Sequence, residues 1–178
     1  MIDDIQALLA DDRLNDLGQG VPNLSAKAKL QAVASQMPAI AKHHDFAAAC
    51  MAGLWLLHDL HDESHAISQD LDTVEGSYWH AILHRREPDY WNAKYWFRRV
   101  PRHPIFTELA KQADALTREA GTPAGSEYLL MQKVWDPHRF VDLCEAAACG
   151  PDALSMLCRR IQQAEWRLLF MYCRERAF

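Results

Sequence analysis

The longest helical pattern in the chain is apolar on almost every side. It covers residues 45–68 and opens with FAAACMAGLWLL, where Leu56 lies across the helix from Met51 and Leu54. Other parts of the protein must surround such a helix to keep its apolar sides from water. We therefore expect residues 45–68 to form a central, buried helix.

The remaining periodic segments are helical as well, and no stretch alternates apolar and polar residues as a strand would. Proline and glycine separate these segments, and Pro38 is expected to follow the end of one of them. Besides the central helix, the predicted helices are 2–9, 25–36, 74–87, 89–100, 105–120, 126–135, 137–149 and 152–176. The 178 residues are predicted to form a single all-α domain, residues 1–178, of about seven to nine helices in an orthogonal array or irregular bundle.

Acidic residues outnumber basic ones overall, but the basic residues are concentrated in one segment. The formal net charge is −5, whereas residues 79–103 contain six Lys or Arg against two Asp or Glu. Most of the aromatic residues near the middle of the chain lie in or beside this segment: Tyr78, Trp79, Tyr90, Trp91, Tyr95, Trp96 and Phe97. The combination predicts a local pocket for a small anionic or planar ligand, and the overall acidity disfavours nucleic acid as a partner.

Cysteine usage and the chain's apolar runs bear on the cellular compartment. The five cysteines are odd in number and form no CxxC pair, so we interpret them as reduced core thiols of a cytoplasmic protein. The acidic start MIDDIQALLADDRL does not have the composition of a signal peptide. No run approaches the 18 to 20 apolar residues of a membrane span, so no membrane association is predicted. The oligomeric state is left open.

Five of the nine histidines lie at helical spacing in two neighbouring predicted helices. In the helix of about 45–68, the side chains of His58, His61 and His65 share an arc of about 60° that continues the apolar stripe inward. His80, His84 and Glu87 share one face of the helix 74–87. If the two helices form an antiparallel hairpin, His65 faces His80, His61 faces His84, and His58 faces Glu87. Buried imidazoles cost stability unless something compensates, so this pattern predicts a site between the two helices.

The candidate residues of this pocket fall into two groups. The candidate catalytic residues are His61, His65, His80, His84 and Glu87. The candidate ligand-binding residues are His58, Trp79, Arg86, Lys94 and Arg98, with the basic and aromatic rim of about residues 88–103 expected to hold an anionic group. Asn92 offers a further donor there. Because Arg98 and Arg99 point in different directions on a helix, at most one of them can enter a pocket.

Three interpretations of the histidine-bearing faces stay open. In the first, His61, His65, His80 and His84 hold a divalent metal such as Zn, Fe or Mn, with Asp62, Glu63 or Glu87 as added ligands, and support hydrolytic or oxidative chemistry. In the second, no metal is present and the imidazoles transfer protons or bind ligand directly. In the third, the histidines are structural and are satisfied by Asp59, Asp62 and backbone groups. The sequence contains neither HExxH nor a pair of ExxH motifs.

Two runs of this region carry a resemblance to a known family. LLHDLHDESHAISQ and GSYWHAILHRREPDYWNAKYWFRRVPRHPIF combine tryptophan, histidine and paired arginine at fixed spacing. Over about residues 50–106 the sequence resembles an uncharacterised family of bacterial all-helical proteins. The resemblance implies a helical fold centred on this segment, and it brings no activity, cofactor or substrate with it.

The sequence therefore predicts a cytoplasmic, small-molecule-binding protein with a histidine-rich pocket and a basic, aromatic rim. Whether this protein is an enzyme stays open, as does the identity of any cofactor. The alternative is a helical interaction module in which residues 78–103 bind a partner protein or nucleic acid. That alternative requires the aromatic side chains to be exposed together as one patch.

Overall fold

The computed structural model describes residues 2–10 and 13–178, with the side chains of residues 5–10 and 13–178. Within these residues the chain forms nine α-helices and one short 3-10 helix and no strand, which confirms the all-α prediction. None of the described helices is both long and apolar enough to cross a lipid bilayer. The helices are α1 (Ile2–Leu9), α2 (Leu24–Ile40), α3 (His44–Leu57), α4 (His61–Ser68), α5 (Val74–Arg86), α6 (Tyr90–Phe97), α7 (Phe106–Glu119), α8 (Pro137–Ala148) and α9 (Asp152–Ala177), with the 3-10 helix Glu127–Leu130 before α8.

Helix α3 lies at the centre of the fold, where it contacts α2, α4, α5 and α9. Ten of its fourteen residues are buried, as its apolar circumference predicts. At Gly53 the backbone of α3 lies close to α5, because a Cβ atom at this position would be 2.7 Å from the Trp79 ring. Trp166 of α9 donates its indole N–H to the Gly53 carbonyl at 2.8 Å. The small side chains of α3 thus allow α5 and α9 to pack directly against its backbone.

The prediction of one helix over residues 45–68 is wrong, because the chain breaks between α3 and α4. Asp59, inside the break, has a φ of +57°. This left-handed conformation ends a helix, and aspartate adopts it more readily than most residues because its short side chain can bond locally. The spacing of apolar residues and histidines continues through the break, so periodicity alone could not reveal it.

A buried network of charges holds the break in place. The Asp59 carboxylate accepts hydrogen bonds from Arg13 at 2.9 Å, from Asn15 at 2.8 Å, and from Arg86 at the end of α5. Because buried charges are tolerated only when they are paired, these contacts are mutually dependent. They fasten the segment before α2 and the end of α5 to the junction of α3 and α4.

The end of α2 also differs from the prediction. This helix continues to Ile40 and contains Pro38, which the sequence places after its end. In the last turn the missing N–H of a proline removes only one bond of the helix, so the helix tolerates it there.

The helix predicted over residues 126–135 is replaced by the short 3-10 helix Glu127–Leu130 and irregular structure. Leu129 is buried there, and the backbone N–H of Trp135 bonds to the carbonyl of Phe106 at 3.2 Å. This bond to α7 therefore pairs a backbone N–H that a longer helix would have paired internally.

The cysteines are all free thiols, and four of them are buried. Cys149, at the end of α8, is exposed, so the prediction of a core thiol is wrong for that residue. Burial raises the pKa of the Cys50 thiol to about 12, which keeps it protonated and unreactive.

Candidate metal centre

Three histidine side chains from two helices meet at one point. His65 lies on α4, and His80 and His84 lie one turn apart on α5. One ring nitrogen of each lies within 4.8 Å of the others. The ring centroid of His65 lies 4.6 Å from that of His80 and 5.6 Å from that of His84, and the latter two are 4.6 Å apart. We refer to these three residues as the histidine cluster.

Helix α5 directs two of these rings into the cluster because other contacts fix its first turn and the side of the helix that faces the core. The Thr73 hydroxyl accepts a hydrogen bond from the Gly76 N–H at 3.0 Å and caps the helix, as its sequence position predicts. On the opposite face Trp79 is fully buried, with its ring 6.1 Å from that of Trp166. The rotation of α5 is thereby set, and His80 and His84 are directed towards α4 and α6.

Neighbouring polar groups orient both histidines of α5. The Ser68 hydroxyl at the end of α4 shares a hydrogen bond of 3.1 Å with Nδ1 of His80. Nδ1 of His84 donates to the Glu87 carboxylate at 3.0 Å. Outer partners of this kind hold metal-binding imidazoles in position and raise their basicity.

The contact with Glu87 also determines the tautomer of His84. A carboxylate only accepts hydrogen bonds, so Nδ1 carries the proton and Nε2 holds the lone pair. Asn92 of α6 donates a side-chain N–H to this Nε2 at 3.1 Å. The lone pair that a metal ion would use is therefore paired with a neutral amide.

The surroundings keep His80 and His84 uncharged. Burial, followed by the neighbouring His84 and His65 rings, lowers the pKa of His80 to about 3. Burial also lowers the pKa of His84, although the Glu87 carboxylate acts in the opposite direction. Both rings are consequently neutral near pH 7, and the neutral imidazole is the form that binds metal ions.

One side of the cluster is closed and the other is partly open. The Trp96 ring of α6 lies over His80, with ring centroids 4.1 Å apart. His80 and His84 are buried, whereas His65 is only partly buried. His65 is therefore the most solvent-exposed member of the cluster.

The cluster has the composition of a transition-metal site. Three imidazole nitrogen donors suit zinc, and catalytic zinc sites commonly have three protein ligands and one open position. Zinc–nitrogen bonds of about 2.0–2.1 Å put tetrahedral ligands about 3.3 Å apart, so nitrogens that lie within 4.8 Å of one another must close by up to about 1.5 Å around an ion. In the described part of the chain, no other group of His, Cys, Asp or Glu side chains converges in this way.

His58 does not join the cluster, contrary to its predicted place in the pocket. It follows the last turn of α3, and its carbonyl accepts the Asn23 backbone N–H at 2.9 Å. Its ring Nδ1 contacts the Asn23 side-chain amide at 3.1 Å. The break at Asp59 turns this ring towards the segment before α2, where it helps to hold that segment.

His61 is buried but lies beside a different cleft, of about 290 Å³. Neither nitrogen of its ring makes a well-formed hydrogen bond, and burial and the nearby Arg86 lower its pKa to about 4. The cleft is acidic, since Asp62, Glu63 and Glu87 line it with Lys27. Glu87 thus contacts His84 and also borders this cleft, whereas the predicted pairing of His61 with His84 does not form.

Two candidate ligand-binding residues have structural roles instead. Trp79 is part of the core, as its contact with Gly53 requires. Arg86 is buried, donates to the Leu56 carbonyl at 2.8 Å and pairs with Asp59. The prediction that these side chains face a ligand is wrong, because partners distant in the sequence bury both of them.

The basic side chains Lys94, Arg98 and Arg99 do not surround the histidine cluster either. Lys94 forms an ion pair with Asp142 of α8. Arg99 pairs with Asp72 at 2.7 Å and lies over the Trp96 ring, whereas Arg98 lies over the Tyr95 ring. The two arginines do point in different directions, as predicted, and Arg98 borders a cleft.

Ser68 is the site residue that sequence reasoning missed. Its position three residues after His65 places it on the same side of α4, but a serine near a helix end is too common to be a signal. Asn92 was predicted as a donor to an anion, and in the structure it donates to a histidine instead.

In a comparison with known proteins, no family model, no curated protein and no solved structure matches the chain. The resemblance to a bacterial helical family stays a prediction.

Proposed function

We propose that this protein binds a divalent transition metal, zinc in the first place, through His65, His80 and His84. The observation that carries the proposal is the convergence of three imidazole nitrogens within 4.8 Å. Low pKa values of His80 and His84 support it, because the rings remain ready to bind without first losing a proton.

The donor set favours zinc over the other predicted metals. Manganese, like magnesium and calcium, is best suited by oxygen ligands, and the cluster offers nitrogen. Non-haem iron sites commonly combine two histidines with one carboxylate, whereas Glu87 points its carboxylate at Nδ1 of His84 and holds the ring. Glu87 is therefore an orienting residue in this proposal.

Besides the closing of the rings, binding requires a rearrangement at Asn92. A metal ion on Nε2 of His84 must displace the Asn92 amide, which now occupies that lone pair. The amide then lies beside the open position, where it can contact a bound water or substrate.

The reaction class that best suits three histidines and an open position is hydrolysis. Zinc in such a site lowers the pKa of a coordinated water to about 7 and polarises a carbonyl or phosphoryl oxygen. His84 and Glu87 stabilise the geometry, Trp96 excludes water from one side, and the partly exposed His65 borders the entrance. A small-molecule substrate entering past His65 completes the proposed function.

The interaction-module alternative has less support. Of the aromatic side chains of the segment, only Trp91 and Tyr95 are exposed, and their rings stack on each other 6.2 Å apart. Two rings offer a smaller surface than the patch of several hundred Å² that marks an interface.

The test is a zinc titration of metal-stripped protein without a polyhistidine tag, in competition with a chromophoric chelator. We expect one zinc per chain and loss of that binding in His80→Ala and His84→Ala, with His44→Ala as a control because His44 is exposed and outside the cluster. Asn92→Ala should bind zinc at least as tightly as the wild type. Full-length protein that binds no zinc, or binds it equally well without His80, would refute the metal site and favour the metal-free pocket.

A further inference from the structure

A large cleft lies between the α6–α7 connection and the start of α8. Its volume is about 1020 Å³, and none of the three histidines of the cluster lines it. Phe97, Phe106 and Trp135 supply apolar wall, and Arg98, Arg102 and His138 supply nitrogen donors. A large cleft with apolar walls and a few polar groups is typical of a small-molecule site.

The charge of this cleft is positive and is not neutralised from within. Asp136 is its acidic residue, and the Asp136 carboxylate is engaged in capping α8, where it accepts the N–H groups of His138 at 3.0 Å and Arg139 at 3.2 Å. Arg102 is exposed and has no ion-pair partner among the described residues. The lining therefore favours an anion.

A buried donor in the wall lacks an acceptor. Trp135 is 3% exposed, and its indole N–H makes no hydrogen bond. Buried N–H groups are nearly always paired, so an unpaired one in the wall of a cleft indicates a missing partner. His103 also lines the cleft; its Nδ1 accepts the Ile105 N–H at 3.3 Å, and its Nε2 makes no hydrogen bond but lies 3.6 Å from the Glu75 carboxylate.

We infer that this cleft binds a small organic anion, namely a carboxylate or phosphate group attached to a flat apolar body. Arg102 and Arg98 bind the oxyanion, the Trp135 indole N–H donates to it, and the aromatic walls cover the apolar body. Arginine suits this role because its planar guanidinium pairs with either group through two parallel hydrogen bonds. The inference does not depend on the metal site.

The experiment follows the indole N–H signals of ¹⁵N-labelled full-length protein during titration with phenyl phosphate, benzoate and inorganic phosphate. Trp135→Phe identifies the signal of Trp135. We expect phenyl phosphate or benzoate to shift this signal with saturation, and the tighter of the two identifies the preferred anionic group. Benzamidine, which is flat but cationic, should not shift it.

Variants test the contacts. Arg102→Gln should weaken binding of the anionic probe about tenfold or more, because it removes a charge-assisted hydrogen bond. Arg118→Gln is the matched control, since Arg118 pairs with Asp114 on the exposed side of α7. The inference is overturned if the Trp135 signal does not respond, if benzamidine binds as well as the anions, if inorganic phosphate alone binds as tightly as phenyl phosphate, or if Arg102→Gln binds like the wild type.

Discussion

At the scale of single residues, the histidine cluster depends on side chains that would not touch a metal. Glu87 and Ser68 each hold one imidazole by its Nδ1, which leaves the Nε2 atoms directed away from them. Residues of this kind contribute to zinc affinity by keeping the ligands in place. Their substitution should therefore weaken zinc binding less than substitution of a ligand does.

Glu87→Gln should raise the dissociation constant for zinc about 10-fold to 100-fold, since the amide accepts more weakly than the carboxylate and makes His84 less basic. The chelator competition assay measures this change. Glu63→Gln is the control, because Glu63 borders the neighbouring cleft and pairs with Lys27 without contacting the cluster. Equal affinity in wild type and Glu87→Gln would mean that the carboxylate does not support His84.

Buried neutral histidines also make stability depend on pH. His61 and His80 have folded-state pKa values of about 4 and about 3, against about 6.5 in the unfolded chain. Between these values the unfolded chain binds more protons, so the free energy of unfolding should fall as the pH falls from about 6.5 to about 4.

Urea unfolding of metal-free protein at pH 7, 5.5 and 4.5 measures this dependence. His61→Leu should lose less stability over the range than the wild type because it removes one of the titrating groups. His44→Leu should behave like the wild type, since His44 is exposed. If His61→Leu keeps the full pH dependence, His61 is not a buried neutral group.

At the scale of helices, the break at Asp59 decides which histidines meet. It separates α4 from α3, so that His65 meets α5 while His58 is directed elsewhere. The predicted contact between His65 and His80 required only the spacing within each helix and the neighbourhood of the two helices. The predicted contact between His58 and Glu87 assumed one straight helix, and the contacts that bend it come from Arg13, Asn15 and Arg86. His61 shares α4 with His65 but borders the neighbouring cleft.

Asp59→Ala should lower the free energy of unfolding by about 3 kcal/mol or more, because Arg86 would stay buried without its carboxylate. Asp72→Ala is the control, since Asp72 forms an exposed pair with Arg99 and its loss should cost less than about 1 kcal/mol. Urea unfolding at pH 7 compares the two. A similar small loss in both variants would contradict the structural role of the Asp59 network.

At the scale of the whole molecule, the periodicity of apolar residues predicted the all-α class. It did not predict where the basic side chains of residues 79–103 would lie. Arg86, Lys94 and Arg99 are close in sequence and have separate ion-pair partners, which lie on other elements. Such pairings depend on how helices cross, and composition does not report this. The sequence pattern therefore predicted one shared pocket, whereas the protein has a histidine cluster and a separate basic cleft.

Zinc binding should stabilise the whole fold, because the cluster joins α4 to α5 only when the chain is folded. Free zinc at about 100 times its dissociation constant should add about 2.7 kcal/mol, which corresponds to a rise in the melting temperature of about 5–10 °C. Thermal unfolding followed by circular dichroism measures the shift. His80→Ala should show no such rise, and an equal rise in that variant would locate the zinc elsewhere.

The two sides of the histidine cluster are carried by helices of different length and packing. His80 and His84 belong to a thirteen-residue helix that packs against the centre of the protein, whereas His65 belongs to an eight-residue helix with a loop at either end. A ligand on the shorter helix can move away from a bound ion more readily than the two ligands on α5. Exchange of a bound ion should therefore begin with dissociation of His65 from the ion. The stiffness of the loop around Asp59 would then determine how long the ion is retained.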